Sequence, residues 1–490
     1  MSREEPSDPG LPVKLHPVSN GEFFPPPPSA LAKETVRRTR AVVGEQSRRA
    51  GLSRRQFLLS SMGSATMLGI LAACSSEQSA STTSAGPGPS TTGPGGTFTI
   101  PPEATVDPEA AEAVLGGDEF IFDVQGHLLE YADGSQAPVP DFPQSNCGLD
   151  EVRDCYDAAS FFELMFTESD TSAVVLSAIP FGGDVLSPDV MRSTVDTAER
   201  LCGTGRVFMQ GQANPSTMAP AEIVDSMERL AEDYPIVAWK TYTHAGGPGW
   251  FLDDRDPDAP QVGEVLLNQA QASGIPIVAV HKGLNSVGSN PANAPYSDPI
   301  DVGPAAARHP GVTIVVYHSG FDFGPPEGPY DETNRVGVDR LIRSVKGAGL
   351  GPGDNVIAEL GSTWRFIMGD PTAAAHVLGK LLVHMGEDNV VWGTDSIWYG
   401  SPQDQIEAFR AFEITEEFQE TFGYPALTPE IKAKVLGLTS ARLYDIGPDA
   451  VECELDADEL AEIRLTSAVR NLTFGPVDRA DVEAVARGHV

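Results

Sequence analysis

His127, His281, His318 and Asp395 are the side chains with the chemistry to form a reaction centre, and three of them come from a pool of only nine histidines in 490 residues. Imidazole and carboxylate are the N and O donors suited to Zn or another first-row divalent ion, and both can move protons near neutral pH. One such residue alone reads as a hydrogen-bonded surface group; four at equivalent places, each just past a short apolar run, read as a site. Lys240, Tyr242 and His244 alternate and therefore share one face, which suits Lys240 and His244 to substrate contact. Alternatively, Lys240 pairs with a neighbouring acid. Arg365, beside Trp364, carries a guanidinium able to hold a substrate carboxylate in bidentate fashion, and Trp398 can wall a pocket. His16, His309, His376, His384 and His489 lie in the N-terminal stretch, a loop, helices or the tail, and read as structural.

The elements that must position these groups are eight short β-branched runs bounded by turn residues: Phe120 to Val124, Ala173 to Ala178, Arg206 to Gln210, Ile236 to Thr241, Pro276 to Val280, Val312 to Tyr317, Asn355 to Leu360 and Val390 to Gly393. Amphipathic stretches such as Met191 to Cys202, Ala221 to Ala231, Val262 to Ala272, Val338 to Val345 and Ala373 to Met385 separate them. Near-continuous apolar strands are expected of a parallel sheet covered on both faces. Eight βα repeats predict an α/β fold, a single (β/α)8 TIM barrel, which keeps its chemistry at the C-terminal strand ends. An open doubly wound sheet usually opens with a Gly-rich phosphate turn, and here Gln125-Gly126-His127 stands in its place. Loops at 128–150, 250–260 and 321–332 follow strands and overhang the mouth. Pro402 to Phe418 and Pro429 to Leu443 read as closing helices.

Phe122-Asp123-Val124-Gln125-Gly126-His127, Val280-His281, Tyr317-His318-Ser319-Gly320, Trp392-Gly393-Thr394-Asp395 and the run from Val435 to Tyr444 together resemble the amidohydrolase superfamily, amidohydrolase family 2. That branch includes decarboxylases such as aminocarboxymuconate semialdehyde decarboxylase. The resemblance covers roughly residues 118–447. It implies one divalent metal, Zn first, held by His127, His281 and Asp395, with Gln125 standing where the family has the first histidine of His-x-His. An amide oxygen is a poorer ligand than imidazole, so Gln125 is a weak fourth ligand or a hydrogen bonder. The resemblance also makes Asp395 the base toward metal-activated water and His318 the acid or base. In two-metal relatives a strand-four lysine is carboxylated; the substitution at Gln125 argues against that for Lys240. The expected activity is hydrolysis of a small-molecule amide, ester or lactone. The alternatives are non-oxidative decarboxylation of an aromatic or unsaturated acid, and an inactive barrel that binds a solute.

The N-terminus has a different composition. Ser53-Arg54-Arg55-Gln56-Phe57-Leu58 opens a stretch that carries no charge from Phe57 to Ala73 and ends in Leu71-Ala72-Ala73-Cys74. This pattern predicts a twin-arginine export signal with a lipobox, lipid on Cys74, and a lipoprotein on the extracytoplasmic face of the cell membrane. The expected layout is therefore a signal with a long n-region over 1–74, a linker over 75–117, the barrel over 118–447 and an acidic tail over 448–490. Residues 1–53 read as too polar and Pro-rich to build a core. Ten of the 33 basic and six of the 69 acidic residues precede Ser75, which leaves a net charge of −40 on the remainder. Such a body repels nucleic acid and anionic headgroups, so the expected partner is a small-molecule substrate, with membrane contact only through the lipid; self-association stays open. Cys147, Cys155, Cys202 and Cys453 have no metal-type spacing, and Cys147 with Cys155 is the nearest pair for a disulfide.

Overall fold

Eight parallel strands position everything else. The computed structural model describes residues 9–81, 93–131, 137, 139–179, 185–284, 291–324, 326–451, 453 and 457–487. In it β1 (Phe122–Gly126), β2 (Ala173–Leu176), β3 (Val207–Gln212), β4 (Ile236–Tyr242), β5 (Ile277–His281), β6 (Thr313–Tyr317), β7 (Val356–Glu359) and β8 (Val390–Val391) pair in sequence order. The backbone closes the ring. Val124 N–H donates to Trp392 O at 3.1 Å, Asp395 N–H to Gln125 O at 3.0 Å and His127 N–H to Ser396 O at 2.6 Å. All eight expected runs are strands, and the fold is a (β/α)8 barrel.

The two-residue period of a strand explains the core. Phe122, Ala173, Val175, Ala238, Ala279, Val315 and Val391 form one apolar cluster inside the ring. Their neighbours Val174, Leu176, Val278, Val280, Ile314 and Val316 belong to the outer cluster shared with the helices. Helices such as Pro188–Cys202 and Pro371–His384 begin with Pro at N1 after Ser187 and Asp370 caps, which fixes φ and satisfies orphan N–H groups.

The N-terminal residues differ from expectation. Residues 9–29 form a strap over the barrel, followed by α1 (Ala30–Arg49), α2 (Arg54–Leu58) and α3 (Ser61–Ser81). Val13, Val18, Phe23, Val43 and Phe57 are buried, so residues 9–53 do contribute core. Local periodicity misses this because the strap borrows its apolar partners from the barrel. Lys14 Nζ meets Asp404 Oδ1 at 2.9 Å with both side chains 2% exposed.

The arginine motif has a local role too: Ser53 and Gln56 form a capping box for α2, and Arg55 donates to Ser467 O at 2.5 Å. Cys74 is buried in the middle of α3, so lipid attachment there requires that helix to be cut. No helix of the described residues is long and apolar enough to cross a membrane.

The expected linker and tail also pack. Residues 82–92 of the linker lie outside the described residues, but Gly96–Phe98 pairs antiparallel with Phe412–Ile414, which splits the helix expected over 402–418 into Gln403–Ala411 and Glu416–Phe422. Cys147 is bonded to Cys155, and Cys202 to Cys453. In the tail, Phe474 is buried and Arg464 reaches Asp170 at 2.9 Å.

Burial alone would raise the Asp170 carboxyl, but Arg410 at 2.6 Å and Arg464 outweigh it and hold the group down at about 2. A depressed carboxyl stabilises the fold above its unfolded value of about 4 and loses that effect as pH falls through the folded value. Asp170→Asn is expected to lower stability by ~2 kcal/mol at pH 7, with the gap to wild type closing between about pH 4 and pH 2 in denaturant titrations. A gap independent of pH would refute this account.

Candidate active site

The inward period of the strands continues past the apolar layer into polar groups: Ala238 gives way to Lys240, Ala279 to His281, and Ile357 to Glu359. His318, Ser362 and Asp395 follow β6, β7 and β8 with positive φ of 63°, 56° and 60°. A non-glycine residue held in the left-handed region costs on the order of 1 kcal/mol or more, so its neighbours must fix it. Glu359 does so for His318. Its Oε2 accepts the His318 N–H at 2.9 Å and its Oε1 the Gly361 N–H at 2.5 Å. Side chains at Gly361 and Gly393 would collide with Glu359 and Gln125. Burial pushes the Glu359 carboxyl up to about 8.

Two donor groups lie side by side. In the first, His318 Nδ1 faces the Gly361 carbonyl at 2.8 Å and His281 Nε2 faces the Gly283 carbonyl at 3.2 Å. Each of those nitrogens must carry the proton, because a carbonyl only accepts. The remaining atoms, His318 Nε2 and His281 Nδ1, are then lone pairs 3.3 Å apart, with Glu22 Oε2 3.5 Å from His281 Nδ1. Burial holds His318 down to about 4 and His281 well below its usual value, so neither ring supplies a positive charge at neutral pH. Glu22 is pushed up to about 8 by burial and then by Asp395. Three inward-facing acceptors within 4.8 Å of one another fit a divalent cation, which would satisfy all three at once.

In the second group, Asp395 Oδ1 lies 3.0 Å from His127 Nε2 and accepts from Gln125 Nε2 at 3.0 Å. Its Oδ2 accepts from Ser362 Oγ at 2.6 Å and from Asn20 Nδ2 at 3.0 Å. Burial opposes the Asp395 charge, yet the hydrogen bonds with His127 and Ser362 offset it and keep the carboxyl below its ordinary value. His127 Nδ1 faces the Ser177 carbonyl at 2.6 Å.

The donors implied by the resemblance fall in both groups. His281 is in the cation-fitting group, but His318 and Glu22 join it, while His127 and Asp395 pair beside it. Gln125 presents its amide nitrogen to Asp395, and its Oε1 is buried without a partner among the described residues.

Lys240 is fully buried with Nζ 3.7 Å from the Tyr317 ring centre. It makes no ion pair with an acid among the described residues, and burial lowers it to about 7. Both nitrogens of His244 are buried without partners there, its ring 4.7 Å from that of His281. Arg365 is buried under the strap, where it donates to His16 O at 3.0 Å. Trp398 packs on Tyr156, with ring centres 5.8 Å apart, and its carbonyl accepts from Phe474 and Gly475, which turns it toward the tail. Trp364 is core, donating to Gln405 O at 2.9 Å.

Sequence reasoning missed Glu22, Asn20, Glu359, Ser362 and Asp123. Glu359 had a usable signal, since Val356-Ile357-Ala358-Glu359 ends a strand as Val278-Ala279-Val280-His281 does. Asp123 is an acid inside an apolar run; it is buried, pushed up to about 7, and accepts from the backbone of Gln125 and Thr394. Glu22 and Asn20 have no local signal.

The barrel carries histidines and carboxylates at its strand ends, a donor set that could hold a metal ion. A family model described as amidohydrolase matches residues 163–446, over half of the chain. The chain belongs to that family, amidohydrolase family 2. No curated protein matches it.

Several solved structures are similar to it. The first is 5-carboxyvanillate decarboxylase from Sphingomonas paucimobilis (14% identity, TM-score 0.37, covering 67% of this chain and 100% of that one). The second is 2,6-dihydroxybenzoate decarboxylase from Rhizobium (11%, 0.38, 66% and 99%). The third is amidohydrolase 2 from Bifidobacterium longum subsp. infantis (15%, 0.34, 67% and 100%).

Glu359→Gln replaces one of two accepting oxygens by a donor that faces a backbone N–H. An unmet buried hydrogen bond costs about 2 kcal/mol. The variant is expected to melt several degrees below wild type, and an unchanged melting temperature would exclude the bracing role of Glu359.

Proposed function

We propose that this chain is a metal-dependent hydrolase of a small, uncharged amide, ester or lactone. The observation that carries this reading is that no guanidinium among the described residues faces the mouth to receive a substrate carboxylate. Arg365 is buried under the strap and donates to the His16 carbonyl, while Asp395 keeps its negative charge at the strand ends. An ionised carboxylate with no facing guanidinium disfavours an anionic acid, the substrate a decarboxylase needs, and accepts a neutral carbonyl compound.

Glu22, His281 and His318 would hold the divalent ion, which when bound supplies Lewis acidity and a water of lowered pKa. Asp395 is the base: it stays ionised at neutral pH, takes a proton at its carboxylate from the attacking water and hands it across the 3.0 Å contact to His127 Nε2. His127 Nε2 can pass that proton to the departing amine or alkoxide. Proton handling thus moves from His318 to the His127–Asp395 pair. Lys240 and His244 bring unpaired donors to a substrate carbonyl.

Export is part of this proposal. Two disulfides suit an oxidising compartment. Lipid at Cys74 is not part of it, because it needs α3 severed.

Asp395→Asn is expected to reduce turnover by roughly 10²–10⁴-fold with folding intact by circular dichroism. Incubated with a panel of neutral esters, lactones and amides beside aromatic and unsaturated acids, the wild type should release acid or amine and no carbon dioxide. Stoichiometric carbon dioxide from any acid would replace this reading with decarboxylation, and turnover of nothing with saturable ligand binding would indicate a solute-binding barrel.

A further inference from the structure

We infer that the N-terminal strap is a permanent part of the metal site, contributing Glu22 as a ligand carboxylate, so that the working molecule is the uncut chain. The inference rests on the reading of the site as a metal centre and names a ligand that the barrel itself does not contain.

The strap is shaped to deliver this residue. Ser19 Oγ accepts the Gly21 N–H at 2.9 Å and donates to Phe23 O at 2.6 Å, and Asn20 Oδ1 accepts the Glu22 N–H at 2.9 Å. Gly21 has φ 96°, a conformation that side chains resist. This tight turn sends Asn20 and Glu22 to the same place. Asn20 Nδ2 then bridges the two donor groups, donating to Glu22 Oε2 at 2.8 Å and to Asp395 Oδ2 at 3.0 Å.

Anchors stand on both sides. Before the turn, Lys14 pairs with Asp404 and His16 receives Arg365. After it, Phe23 packs between Phe323 and Phe366, each ring centre 5.1 Å away. Across it, Ser19 N–H donates to Pro476 O at 2.7 Å.

A plug made to leave would be joined differently. Withdrawing this strap leaves Asp404 and Arg365 buried without their partners, which is the costly way to break a buried pair. It also leaves His281 and His318 with two neutral donors and no charge between them. Cleavage before Cys74 would have that effect, so the apolar run of α2 and α3 serves the fold as packing.

Zn²⁺ titration of metal-stripped full-length protein tests this, read by calorimetry and by the metal-induced rise in melting temperature. Wild type should take one ion. Glu22→Gln should bind on the order of 100-fold more weakly, while its metal-free melting temperature stays level or rises, since a buried, crowded carboxylate has gone. Glu22→Asp keeps the charge on a shorter arm and should fall between them.

Wild-type affinity in Glu22→Gln would overturn the role of Glu22 while leaving the metal site standing. No ion bound by wild type would remove the metal site and this inference together. Intact mass of protein recovered from cells making the full chain should give the uncut 51.9 kDa species as the metal-bound one; a metal-bound species that begins at Cys74 would overturn the inference.

Discussion

Carboxylates packed within reach of one another in a dry barrel mouth are the constraint on which the rest depends. Each charged oxygen taken from water must be matched by a donor, a proton or a cation. The molecule uses all three means. Asp395 is surrounded by donors from Gln125, Ser362 and Asn20. Glu359 and Asp123 are pushed toward their neutral forms and spend their oxygens on backbone N–H groups. Glu22 alone faces two imidazole lone pairs. The left-handed turns at His318, Ser362 and Asp395 follow from this arrangement, because each brings a side chain back over the ring and each is held by a hydrogen bond from the network.

The strap meets the same electrostatic requirement from outside the barrel. Lys14 and Asp404, like Arg365 and the His16 carbonyl, are buried pairs that form only when residues 9–24 are seated. Their value is in register more than in raw stability, since a buried ion pair gains little over apolar packing but is strongly disfavoured when misaligned. A shift of the strap by one residue would lose these pairs and carry Glu22 away from His281.

The barrel was legible in the residues because a two-residue period and eight apolar runs are local signals, and strand ends follow from them. His127, His281, His318 and Asp395 were found by that route. The partition of roles among them was not, because it depends on which carbonyl each ring nitrogen meets: Gly361, Gly283 and Ser177 lie on other strands and loops. The N-terminal segment was misjudged for a related reason. Its prolines, scattered charges and lack of period describe a chain with no core of its own, and Val13, Val18 and Phe23 show that the core can belong to a distant partner. Arg365 has the same kind of distant partner, since the carbonyl it serves comes from His16.

The N-terminal segment, strap and α2 together, and the tail clasp each other as well as the barrel. Asn471 donates to Leu58 O at 2.8 Å across 413 positions of sequence, and Ser19 meets Pro476. During synthesis from the N-terminus the strap is made first, yet the surfaces that seat it are made last. The ring of strands can close earlier, with its histidines in place, while the clasp waits. Assembly is thus ordered in time: the seat of residues 9–24 is finished only when the last residues to be made have met the first.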